Sequence, residues 1–192
     1  MSLVQIERTK LEGVLIVTPK RFPDSRRFFI AIWNRRQMAE HGLDHDWVQD
    51  NHSMSHQLGT LRGLHFQSPP HAQTKLVRCG RGTLFDVAVD IRKGSPTYGE
   101  WVGVELSYDN GRQLFIPAGF LHGFVTRSTD TEIIYKCSDY YTPECDGAVC
   151  YDCPEIGIDW GLGDTAPALS DKDAAAQSLA GFDSPFTYEV AQ

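Results

Sequence analysis

Ten short segments in which apolar and polar residues alternate with period two constrain this chain more than any other feature. They fall at 14–18, 28–33, 47–50, 61–67, 75–79, 82–91, 101–107, 113–116, 123–126 and 131–138. Gly, Pro, Asn or Asp closes them at intervals of roughly ten residues, the rhythm of strands joined by turns. Because a helix needs its apolar positions every 3.6 residues and a strand every two, the pattern predicts an all-β sandwich or barrel. The clearest case is 82–91, where Phe85, Val87, Val89 and Ile91 share one face and Asp86 and Asp90 the other. Turns are marked at 93–96, 108–111 and 117–119. Two helical pieces interrupt the strands. Residues 34–41 can be capped by Asn34 and ended by Gly42, and 170–179 opens on the capping pattern Ser170-x-x-Asp173 before an alanine run. Neither an internal repeat nor a low-complexity linker divides the 192 residues, so one domain is expected over 1–192. Residues 161–192 should lie as an extension over the barrel.

With 18 Lys and Arg against 25 Asp and Glu, the chain carries a formal charge of −7. Bulk attraction to nucleic acid or to an anionic membrane is therefore excluded, and any anionic ligand must meet a local cluster of cations. Neither a secretory pattern at the start nor the roughly 18 consecutive apolar residues of a membrane helix is present, so a cytoplasmic protein is expected. The five cysteines, Cys79, Cys137, Cys145, Cys150 and Cys153, are an odd number. The Cys150-x-x-Cys153 spacing has neither a second matching pair nor a strand-to-helix context, so all five read as ordinary reduced thiols.

Chemistry concentrates in two stretches, 59–75 (GTLRGLHFQSPPHAQTK) and 116–124 (IPAGFLHGF). The second holds Pro117-x-Gly119-x-x-His122, half of the cupin signature, in which a turn delivers a histidine to a barrel interior. The metal-binding form of that signature also needs His-x-His and a nearby carboxylate. Here His65 is followed by Phe66 and Gln67, and the next acidic residue is Asp86. The ligand set is incomplete, and no metal is expected.

The runs 49–53 (QDNHS), 61–67 (LRGLHFQ), 75–78 (KLVR), 85–92 (FDVAVDIR), 112–114 (RQL), 116–117, 135–136 (YK) and 169–173 (LSDKD) resemble those of the dTDP-4-dehydrorhamnose 3,5-epimerase family. The resemblance runs in order from about Val14 to Asp173. It implies a double-stranded β-helix, the jelly-roll or cupin barrel, with short peripheral helices. It also implies a homodimer without cofactor that inverts C3 and C5 of a dTDP-linked 4-keto-6-deoxy sugar, with strands in 1–33 exchanged or packed at the dimer interface. By position, His65 matches the family's base, Lys75 the cation beside the C4 oxyanion, Tyr135 the acid, and Asp173 the carboxylate that orients His65. Arg26 and Arg62 match residues at the nucleotide diphosphate, and Gln49, Asp50 and Asn51 a polar segment near the nucleotide and sugar. His122, Asp146 and Lys172 match further ligand contacts, with aspartate in place of the usual glutamate at 146. A C3-only or C5-only epimerase, or a sugar-nucleotide-binding cupin without turnover, shares these residues.

Each residue also has a purely structural reading. Tyr135 could be core, Lys75 an edge charge, His122 a turn histidine, and Asp173 only a helix cap. Period two also sets Arg62 and His65 on opposite faces of one strand, whereas the resemblance sends both to the ligand; a bulge at Gly63 would reconcile them. Near the start, Arg27 and Ala31 stand where the family has glycine and glutamate, which bears on nucleotide binding.

Overall fold

The computed structural model describes residues 3–189; the ends of the expected domain, 1–2 and 190–192, lie outside the described residues. In chain order the elements begin with β1 (Val4–Arg8), β2 (Leu15–Pro19), β3 (Arg21–Asp24), β4 (Arg27–Ile30), α1 (Arg35–Ala39) and β5 (Gln49–Ser55). Next come β6 (Leu61–Gln67), β7 (Lys75–Arg81), β8 (Thr83–Asp90), β9 (Trp101–Ser107) and β10 (Gln113–Ile116). The last are β11 (Phe120–Thr126), β12 (Thr131–Cys137), β13 (Asp146–Ala148) and α2 (Asp171–Ala174). The strands form a six-stranded sheet in the order β1-β2-β10-β7-β12-β5, a five-stranded sheet β13-β6-β11-β8-β9, and a separate hairpin β3-β4, with antiparallel neighbours throughout.

The two large sheets face each other over a core that includes Val77, Leu84, Ala88, Val104, Leu106, Leu114, Phe124 and Ile133. Both outer faces are covered as well. Met38 of α1 and Leu43 lie with Val17, Leu76 and Phe115 outside the six-stranded sheet. Outside the five-stranded sheet, Val87, Val89, Ile91, Leu121 and Val125 lie under Val149, Ile156, Trp160 and Leu179. The apolar row of β8 therefore faces the C-terminal segments, while Asp86, on the opposite face, is fully buried.

Two expectations need correction. The second helix ends after one turn: Ala175 closes α2, Gln177 bridges to Val149, and a 3-10 turn follows at Leu179–Gly181. The alanine run favours helix, but pairing of the Gln177 carbonyl with the Cys150 N–H, at 2.8 Å, takes that backbone for tertiary contact. Second, Cys150 and Cys153 are not free thiols; they form a disulfide. Cys79, Cys137 and Cys145 stay unpaired.

Candidate active site

Strand β6 carries the residue around which the site is built. Opposite β11, the step from Arg62 to His65 spans three residues while its partner steps two, from Phe124 to His122. The extra residue is a bulge at Gly63, and it brings Arg62 and His65 to the same side. Only glycine fits there: its φ is +123°, and a Cβ would stand 2.5 Å from the Gly123 Cα and 2.8 Å from the His122 carbonyl.

His65 Nε2–H donates to Asp173 Oδ1 at 2.5 Å, and Nδ1 has no hydrogen-bond partner among the described residues. Asp173 is buried in the first turn of α2. The Ser170 hydroxyl accepts its N–H at 3.2 Å and donates to Oδ2 at 2.9 Å. One residue thus serves as cap and as imidazole partner, because the capped end of α2 points at β6. Burial pushes the His65 pKa below 6.5, opposed by the Asp173 charge and reinforced by Lys75 and Lys172.

His65 lines a cavity of about 200 Å³ with Lys75, Tyr135, Gln49, Asn51, Gln73, Tyr141, Asp146 and Lys172. Lys75, at the start of β7, makes neither an ion pair nor a side-chain hydrogen bond to the described residues, and burial lowers its pKa despite the pull of nearby Cys137, Asp146 and Asp86. Tyr135 enters from β12. Burial holds its phenol above 10, while Arg62 and Asn51 act in the opposite direction. A neutral imidazole, an unneutralised ammonium and a protonated phenol around one space can remove a proton, stabilise an oxyanion and return a proton.

The other expected residues divide. Gln49 receives the Tyr141 N–H at 3.0 Å and donates to Asn51 at 3.0 Å, so it orders the cavity wall. Lys172 pairs with Asp146, which also accepts the Tyr141 hydroxyl at 3.1 Å. His122 is buried, with its ring 6.5 Å from that of Tyr135. Asp50 is not brought to this cavity; it pairs with Lys136 at 2.9 Å beside a second cleft of about 380 Å³ that includes Trp33, His52 and Arg78. Arg26 is also remote: on the β3-β4 turn, its side chain is 87% exposed and bonded to Asp24 at 2.8 Å. Among the described residues no three His, Cys, Asp or Glu side chains converge as metal ligands.

Two residues here escape a reading of the sequence alone. Asp86 accepts from His122 Nε2–H at 2.7 Å while its Oδ2 is buried without a partner. The signal was present, since a carboxylate within an otherwise apolar strand demands a buried partner. Gln67 is the other. Its amide donates to the carbonyls of His71 (2.6 Å) and Tyr140 (3.0 Å) and accepts from Thr142 N–H (2.9 Å), fixing the loop that presents Tyr141.

Comparison with known proteins gives the family. The family model described as dTDP-4-dehydrorhamnose 3,5-epimerase matches residues 8–181. The dTDP-4-dehydrorhamnose 3,5-epimerase of Salmonella typhimurium is 51% identical over 173 residues, covering 90% of this chain and 93% of that one. Its counterpart from Sinorhizobium fredii is 50% identical over 179 residues, covering 91% and 89%. Among solved structures, the dTDP-6-deoxy-D-glucose-3,5-epimerase of Legionella pneumophila in complex with dTDP-4-keto-L-rhamnose superposes with a TM-score of 0.92. It is 45% identical and covers 97% of this chain and 100% of its own. A 3'-monoepimerase from Streptomyces bikiniensis in complex with dTDP-quinovose gives 0.84 at 32% identity, covering 91% and 87%. A match of this extent, over a barrel whose cavity already has the parts of a proton-transfer site, makes the chain a member of the dTDP-4-dehydrorhamnose 3,5-epimerase family.

Proposed function

We propose that the protein is an isomerase that inverts C3 and C5 of dTDP-4-dehydro-6-deoxy-D-glucose to give dTDP-4-dehydro-L-rhamnose, a step of deoxysugar biosynthesis. The observation that carries this reading is the His65–Asp173 pair at 2.5 Å on a cavity shared with Lys75 and Tyr135. A carbon next to the C4 ketone is acidic because the carbanion delocalises onto the carbonyl oxygen. With Nε2 tied to Asp173, His65 Nδ1 takes that proton. Lys75, free of an anionic partner, stabilises the charge that develops on the C4 oxygen, more in the transition state than in the ground state. Tyr135, kept protonated, returns a proton to the opposite face. Arg62 and Lys172 supply local positive charge for the diphosphate, with Asn51, His122 and Asp146 as further ligand contacts.

The proposal extends to a homodimer in the cytoplasm. Phe22 and Phe29 are exposed on the β3-β4 hairpin, Phe29 by 67%. Among the described residues the hairpin pairs with no other strand and is held to its own chain on its other face, through Arg21 and Phe28 against Tyr108, and a two-stranded hairpin is marginal in water. A second copy over residues 1–33 would cover it and give Arg26 a site to reach. Among the described residues no helix is long and apolar enough to cross a membrane.

Incubation with the 4-keto sugar nucleotide in D2O, followed by NMR, tests the chemistry. Deuterium at both C3 and C5 is expected; a single labelled carbon would make the protein a monoepimerase, and none with retained binding a carrier. His65→Asn should abolish exchange at both carbons, and Tyr135→Phe should slow epimerisation more than exchange.

A further inference from the structure

The Cys150–Cys153 disulfide lies outside the cavity, yet it joins the backbone that holds both halves of the His65–Asp173 pair. On one side, Ala148 is in register with His65, and Val149 exchanges both backbone hydrogen bonds with Leu64, at 3.0 and 3.2 Å. Cys150 follows directly. On the other side, Cys150 N–H donates to the Gln177 carbonyl at 2.8 Å, Val149 bridges Gln177, and Leu179 N–H donates to Cys153 Sγ at 3.3 Å. Gln177 comes four residues after Asp173, just past the single turn of α2. A helix of four residues has almost no stability of its own, so the position of Asp173 depends on what anchors the chain on either side. Before it, Ala168 bonds Gly59 and Leu61, at 3.0 Å each. After it, the anchor is the 150–153 loop, and the disulfide closes it.

We propose that Cys150 and Cys153 are positioning residues for the His65–Asp173 pair, and that their oxidation state sets the alignment of the base. The proposal rests on the assignment of His65 and Asp173 as a working pair. Cys153 is buried and Cys150 is partly exposed, so a dithiol reductant reaches Cys150 Sγ. The reductant's thiolate attacks that sulfur, the S–S bond breaks, and Cys153 leaves as a thiolate that takes up a proton. The second reductant thiol then displaces the mixed disulfide, releasing Cys150 as a thiol. Two electrons pass to the protein, and the reductant departs as its own disulfide. In a reducing compartment such a bridge forms only transiently, which suits a sensor better than a permanent staple.

Two measurements on the full chain test this, each on protein whose thiols have been counted: three titratable thiols when bridged and five when reduced. Hydrogen exchange needs no substrate. Amides of 171–179 should exchange several-fold faster after reduction with dithiothreitol and return on reoxidation; the Cys150→Ser/Cys153→Ser double variant should exchange fast under both conditions. The second measurement is epimerisation. Misplacing a reacting group by ~1 Å costs on the order of 10²-fold, so kcat should fall at least severalfold on reduction while KM changes little, with recovery on reoxidation. Equal exchange in the two forms, or five thiols even after oxidation with glutathione disulfide, would overturn the proposal. If exchange responds and neither form turns over substrate, the positioning role stands and the assigned activity falls.

Discussion

His65 shows how much one contact changes a residue's chemistry. Burial alone would make it a weak base, since an apolar setting disfavours imidazolium; the Asp173 carboxylate restores part of that basicity and holds the proton on Nε2. The sign of the pH dependence follows. A protonated imidazole cannot accept a proton, so kcat/KM should be lost only as pH falls through a value under 6.5 and should stay flat across neutrality. In Asp173→Asn the influence that raises the pKa is gone. The acid limb should therefore move to still lower pH while the rate at neutrality drops by about 10²-fold, the lower end for general-base catalysis. A pH–rate profile of both proteins checks this, and a limb moving to higher pH in the variant would contradict the pairing.

Among the elements, β6 sets the geometry through its bulge. Gly63→Ala forces a Cβ against the Gly123 backbone, where nothing flexible can yield, at a φ that side chains avoid. The loss should be about 1–3 kcal/mol, read as a lower Tm, with kcat falling as His65 shifts. Strands β6, β9 and β10 were legible in the sequence to the residue, because apolar positions or closing turns bound them. β5 was not. Its stretch QDNHSMS has no apolar face, and it is a strand because it pairs with β12 along its whole length. The three residues of β13 carry no periodicity at all. His65, Lys75, Tyr135 and Asp173, which the family resemblance singles out, come together in the fold, three of them on one cavity and Asp173 behind His65, and the clash of faces between Arg62 and His65 pointed to the bulge. The Cys150-x-x-Cys153 spacing itself permits the bond, because the turn at 151–152 brings the two cysteines together; what the spacing does not show is that β13 and the segment after α2 hold this turn against the apolar cluster.

For the whole molecule, a charge of −7 means that an anionic sugar nucleotide is drawn in by a few cations and not by the overall field. Lys75 and Lys172 line the cavity and Arg62 acts on Tyr135 from nearby, so these are the cations proposed for that need, whereas Arg26 stands apart on its hairpin. Dimerisation is the proposed remedy, and Phe29→Asp should test it: light scattering is expected to give twice the chain mass for the parent and a single chain mass for the variant. A parent protein of one chain mass would remove the dimer from the proposal.

The His65–Asp173 contact joins residues 108 positions apart. During synthesis His65 is added to the chain before its carboxylate partner by roughly 5–20 s at ordinary rates of translation. Strands on either side of β6 are thus made around a base that still lacks its carboxylate partner. The paired base is complete only when the chain returns across β6.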